Sequence, residues 1–150
     1  MPVLDAQRLL FVVCAFLFQI ILIVHFSLRK WRFPLAIRYG SLVYALGLPA
    51  AAASGLLLHA GAPWSLWLGG FLYLAWAIFG FTVEYVAKIE WRSPIRWSIF
   101  APYIFLYLST IMFYWFPLAL VWKTLWYGYA LLFILSTILN LASHKKPDPA

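Results

Sequence analysis

Glu84 and His25 are the side chains whose type and position in this sequence could carry chemistry. Both fall about one helical turn inside the ends of long apolar runs, where an ionisable group is costly unless it faces other helices, water or a partner. A carboxyl group and an imidazole held close together can act as a general acid and base pair or as a proton relay. These two residues are therefore the candidate catalytic residues.

The sequence lacks the patterns of common metal, nucleotide and hydrolase sites. Its three histidines, one cysteine and four acidic residues are scattered along the chain, whereas zinc or two-metal chemistry needs three or more close ligands. It contains no H-E-x-x-H, P-loop or G-x-S-x-G motif. His25 and His59 are predicted at different depths, unlike a pair that holds haem. We predict no metal and no cofactor, and binding is favoured over enzyme activity.

The composition is that of an integral membrane protein. Hydrophobic residues make up 66% of the 150-residue chain and charged residues only 10%, far from the balance of a water-soluble domain. The net charge of +7 does not indicate nucleic-acid binding, because the basic residues lie between apolar runs and not on a polar face.

Five apolar runs are long enough to cross a bilayer as helices. They predict a single all-α bundle with transmembrane spans at about 9–28, 39–58, 64–86, 97–118 and 125–142, the second kinked at Pro49. Alternation of the spans gives nine basic residues on one side and two on the other. The positive-inside rule then predicts an outside N-terminus, a cytoplasmic C-terminus and a multi-pass protein of the plasma or inner membrane.

The charged stretch after the third span is predicted to be a helical hairpin. Glu84 and Lys88 have the spacing of a favourable i, i+4 pair, and nothing in the sequence breaks the helix before Arg92. Ser93 and Pro94 suit the N-cap and first position of the fourth helix.

Helical periodicity predicts that Glu84 faces the bundle interior. It shares a face with Gly70, Ala77 and Gly80, while bulky apolar residues lie on the opposite face. The same projection gives the other helices polar faces and predicts a ligand-binding interior lined by His25, Tyr73, Glu84, Tyr103, Tyr107 and Asn140. Of these six residues, His25, Glu84, Tyr103 and Asn140 are expected at its cytoplasmic end. Alternatively, these groups only bond one another across helices and fix the packing.

Basic residues near the same end could hold an anionic headgroup or a phosphate. They are Arg29, Arg38, Lys88, Arg92 and Arg96. Juxtamembrane basic residues also arise simply from membrane orientation, so the sequence does not select among the five.

Three functions are compatible with this arrangement. The first is a bundle that binds or transports an amphipathic or lipid-like molecule. The second is an intramembrane enzyme that acts on a lipid, quinone or isoprenoid through Glu84 and His25. The third is an accessory subunit of a larger membrane complex. The expected partners are membrane lipids, a lipophilic small molecule, and a second copy or a complex partner.

Residues 126–140, WYGYALLFILSTILN, resemble the closing helix of the translocator protein family, which also has five helices and many tryptophans. That family has a W-x-P-P type segment after its first helix, whereas the corresponding loop here is RKWRFPLAIR. The resemblance is therefore one of composition and transfers no residue role.

Overall fold

The computed structural model describes residues 4–144, which are largely helical and contain no β-strand. The helices are α1 (Ala6–Trp31), α2 (Phe33–Ala45), α3 (Gly47–His59), α4 (Trp64–Phe81), α5 (Trp97–Trp115), α6 (Leu118–Val121) and α7 (Lys123–Ser143). A short π-helix, Thr82–Val86, continues α4. α4 packs against α3 and α5, and α1 packs against α2 and α7.

Five of the helical segments are long and apolar enough to cross a membrane, as the sequence predicts. They are Ala6–Trp31, Phe33–His59, Trp64–Val86, Trp97–Val121 and Lys123–Ser143. The third coincides with its predicted span, and the other four extend beyond theirs at one or both ends. The all-helical class and the number of long apolar helices are therefore confirmed.

The second segment is interrupted at Leu46, between α2 and α3. Pro49 lies three residues further on and has no N–H group, so it cannot bond to the carbonyl of Ala45 four residues before it. The helix is therefore interrupted close to the predicted kink, and the missing hydrogen bond of Pro49 explains why.

Small residues allow α3 and α4 to approach closely. A Cβ atom at Gly70 would lie 2.5 Å from the carbonyl oxygen of Ala50, and one at Gly47 would lie 2.8 Å from the Cβ atom of Ala77. At Gly55, in contrast, a Cβ atom would meet nothing within 4 Å. The close contact is therefore made by Gly47 and Gly70, and Gly55 has no part in it.

The predicted helical hairpin after the third span is wrong. The helix ends where Lys88 adopts a left-handed conformation with φ of 50° and the Ile89 N–H bonds to the Val83 carbonyl at 3.0 Å. Ser93 and Pro94 lie in a turn, and α5 begins only at Trp97. Tertiary contacts outweigh local helix preference, because the chain turns back to bury Trp91.

Candidate functional site

A cavity of about 460 Å³ lies at one end of the bundle, which we call the Glu84 end. α1, the α4 π-helical extension and α7 finish there, and α2 and α5 begin there. Apolar side chains line part of the wall, among them Leu22, Phe26, Phe33, Phe100 and Ile104. The charged residues of the wall are Glu84, Arg29 and Arg92, and two histidines, His25 and His144, lie beside them.

Glu84 is turned towards the neighbouring helices, and its side chain is only 20% exposed. The Tyr44 hydroxyl of α2 donates to its Oε2 atom at 2.8 Å, and the Tyr44 and Tyr103 hydroxyl oxygens lie 3.1 Å apart. On the other side, Nη2 of Arg92 lies 2.6 Å from Glu84 Oε1. The predicted pairing of Glu84 with Lys88 is therefore replaced by an ion pair with Arg92.

Arg92 is fixed in direction by its neighbours. Its guanidinium carbon lies 4.2 Å above the Trp91 ring and 5.9 Å from the Tyr103 ring, both within reach of a cation–π interaction. Burial alone would lower the pKa of Arg92, but the Glu84 carboxylate outweighs it and the pKa is raised above its ordinary value. Arg92 is therefore a permanent cation at the cavity wall.

Arg29 and His144 are in contact, and this contact joins the last turn of α1 to the end of α7. Arg29 Nη2 lies 3.2 Å from His144 Nδ1. Burial, followed by the positive charges of Arg29 and Arg92, holds the pKa of His144 below its ordinary value. A neutral His144 can accept this hydrogen bond from Arg29.

Of the predicted ligand-binding residues, five line the cavity: His25, Glu84, Tyr103, Tyr107 and Asn140. Tyr73 does not. It is buried beside Trp76, and its hydroxyl donates to the carbonyl oxygen of Val43 in α2, so it joins α4 to α2. In the described part of the chain, Tyr73 therefore packs helices together and does not line the cavity.

The five basic candidates are separated in the same way. Arg29 and Arg92 line the cavity, whereas Lys88 lines a shallower depression next to it. Arg38 and Arg96 line neither and are exposed. The Arg38 guanidinium instead lies 5.6 Å from the Tyr39 ring.

The candidate catalytic residues His25 and Glu84 share the cavity but form no hydrogen bond with each other. The described partners of Glu84 are Tyr44 and Arg92. Its carboxylate is thus occupied in holding neighbouring side chains. Within residues 4–144, no three His, Cys, Asp or Glu residues are grouped closely enough to hold a metal ion.

Sequence reasoning missed Tyr44, Trp76, Trp91 and His144 as cavity residues. A signal for Tyr44 existed, because it shares a helical face with glycines and needs a small residue opposite. A Cβ atom at Gly80 would lie 2.5 Å from the Tyr44 ring, so only glycine there leaves room for the tyrosine. Trp91 had no such signal, because its burial depends on the turn after Lys88.

Comparisons with known proteins add no assignment: no protein-family model, curated protein or solved structure matches this chain. The likeness of residues 126–140 to one helix of the translocator protein family remains a resemblance only.

Proposed function

We propose that this chain is a multi-pass membrane protein that binds an amphipathic or lipid-like molecule in the cavity at the Glu84 end. The observation that supports this best is the cavity itself. Its volume of about 460 Å³ lies within the range of small-molecule sites, and its wall combines aromatic and aliphatic side chains with a few convergent polar groups. Such a wall suits a molecule with an apolar body and a polar head.

Two tryptophans form part of the aromatic wall. Trp76 and Trp91 line the cavity and are each 3% exposed. The Trp76 ring packs edge-on against the Tyr103 ring, and the Trp91 ring lies under the Arg92 guanidinium. Both therefore hold polar groups of the wall in place.

In this proposal the Glu84 end is cytoplasmic. Arg29, Lys30, Arg32, Arg38 and Arg92 lie in or near the chain segments at this end, and the positive-inside rule places such an excess in the cytoplasm. The molecule would then enter from the inner leaflet or the cytoplasm of the plasma or inner membrane. Transport of the ligand and association with a second copy or a complex partner remain predictions.

Binding ranks above catalysis because Glu84 is held by Tyr44 and Arg92 and not by His25. A general base needs a lone pair directed at the substrate, whereas Tyr44 and Arg92 lie against the two oxygens of the Glu84 carboxylate. The enzyme and accessory-subunit alternatives remain predictions.

A photoreactive long-chain alcohol with an alkyne tag tests the proposal. We expect saturable labelling of the purified protein in detergent, with the label on peptides that contain cavity residues such as Phe26 or Ile104. Ala36→Trp fills the cavity wall and should reduce labelling several-fold, whereas Ala52→Trp, at an exposed position of α3 away from the cavity, should not. Gel filtration checks that both variants are folded. Labelling that does not saturate, or that is equal in both variants, would contradict ligand binding here.

A further inference from the structure

We propose that the polar head of the bound molecule is an anion, a carboxylate or a phosphate, held between Arg29 and Arg92. This inference rests on the proposed function and deepens it, since it assigns the charge of the head and two residues, of the five basic candidates, that hold it.

The charge balance of the cavity wall favours an anion. The wall contains four basic side chains and one acidic side chain, Glu84. The basic ones are His25, Arg29, Arg92 and His144. With both histidines neutral the wall still carries an excess positive charge. In a pocket that is partly shielded from water, this positive charge attracts an anion more strongly than it would in bulk water.

Of the two arginines that line the cavity, Arg29 is the one without a carboxylate partner in the described part of the chain. The ion pairs in the described part of the chain are Asp5 with Arg8 and Glu84 with Arg92, so Arg29 takes part in neither. Its contact is with a histidine nitrogen, which occupies one N–H group of a planar fork. The remaining donors suit two oxygens of a carboxylate or phosphate.

Arg92 complements Arg29 because it is already oriented. Glu84 holds one of its nitrogen atoms at 2.6 Å, and the Trp91 ring supports the guanidinium plane. Donors on its other nitrogens are not used by Glu84. Orientation before binding lowers the entropic cost of gripping a head group.

Glu84 limits where the anion can lie. Its carboxylate shares the cavity and repels a second negative charge, although its contact with Arg92 offsets part of that repulsion. The head therefore belongs on the side of Arg29, away from the Tyr44 contact. The tail then lies along the apolar wall formed by Phe26, Phe33 and Ile104.

Three photoreactive probes with one alkyl chain and different heads test the inference: a carboxylate, a phosphate monoester and an uncharged alcohol. We expect at least one anionic probe to label the cavity at a concentration about tenfold below that of the alcohol, the factor typical of one charge-assisted hydrogen bond. Stronger labelling by the carboxylate indicates a fatty-acid type of ligand, and stronger labelling by the phosphate indicates a phospholipid type.

Arg29→Gln should weaken labelling by the anionic probes about tenfold and so remove most of their preference over the alcohol. Arg38→Gln is the matched control, because Arg38 is an exposed arginine in the nearby α2 that does not line the cavity. Arg92→Lys keeps the charge and loses the planar fork, so we expect a smaller, few-fold weakening of anion labelling. Competition by unlabelled compounds in the unaltered protein gives the same comparison without any variant.

The outcomes separate the two proposals. Saturable labelling in the cavity with equal strength for all three heads would overturn the anionic head and leave the binding function standing. Equal effects of Arg29→Gln and Arg38→Gln would overturn the role of Arg29. Saturable labelling by none of the probes would overturn the binding function and this inference with it.

Discussion

The Glu84 end and the middle of the bundle both bury polar side chains, but they treat them differently. At the Glu84 end, the Tyr44 hydroxyl donates to the carboxylate at 2.8 Å and lies 3.1 Å from the Tyr103 hydroxyl. Arg92 lies on the other side of the carboxylate, with 2.6 Å between its Nη2 atom and Glu84 Oε1. In the middle, Gln19 is fully buried in α1, and neither its Nε2 nor its Oε1 atom has a hydrogen-bond partner within residues 4–144.

Two tyrosines accompany Gln19 in the bundle core. Tyr114 of α5 and Tyr129 of α7 are almost completely buried, and their hydroxyl groups have no partner in the described chain. Gln19 and Tyr129 lie close to each other without hydrogen-bond geometry. Thr110 and Ser136 avoid the problem because each donates to a carbonyl of its own helix. We therefore expect the contacts of Glu84 with Tyr44 and Arg92 to stabilise the fold and the unpartnered amide of Gln19 to weaken it.

The largest effect should come from Glu84→Gln. The change removes the charge opposite Arg92, which is partly buried beside it, and we expect a loss of about 2 kcal/mol in the free energy of unfolding. This is below the loss for a fully buried pair because the Arg92 side chain is 42% exposed. Unfolding in mixed micelles with increasing denaturing detergent measures it.

Glu90→Gln is the control, since Glu90 is an exposed acid in the loop that follows the π-helix and makes no ion pair within residues 4–144. A double-mutant cycle with Arg92→Met isolates the interaction between the two side chains. If Glu84→Gln cost no more than Glu90→Gln, the network would not be a stabilising feature.

A smaller effect separates two tyrosines that differ in bonding. Tyr44→Phe removes the hydroxyl that donates to Glu84 and should cost about 1.5 kcal/mol, because the acceptor is charged. Tyr129→Phe removes a buried hydroxyl without a partner and should change stability by less than about 0.5 kcal/mol. The same unfolding measurement compares them. Equal losses would mean that the Tyr129 hydroxyl is also bonded in the folded protein.

The number of membrane-length helical segments and the inward direction of Glu84 could be predicted from the sequence, because both depend on local pattern. Apolar run length sets the spans, and the 3.6-residue period puts Glu84 beside Ala77 and Gly80. Burial of Gln19 follows from the same periodicity along α1.

The parts that could not be predicted depend on contacts between distant segments. The left-handed turn at Lys88 is made possible by the burial of Trp91 against Phe100 and Tyr103, which no local preference encodes. The positive-inside rule counts basic residues, so it does not distinguish Arg29 from Arg38. Only the packing of α1 beside α7 places Arg29 against His144 and the cavity.

A gain in stability, and not a loss, is expected at Gln19. Gln19→Met keeps the length of the side chain and removes two polar atoms without partners, so we expect a gain of about 1 kcal/mol in the free energy of unfolding. Gln7, near the start of α1, is the matched control, because its Nε2 atom donates to the carbonyl of Ala60 at 3.1 Å. Gln7→Met should therefore lower stability by a few tenths of a kcal/mol up to about 1 kcal/mol. Detergent unfolding of the two variants decides the sign, since a loss at position 19 as large as that at position 7 would show that the amide is satisfied in the folded protein. The middle of the bundle would then be a second polar site, and its difference from the Glu84 end would be one of charge alone.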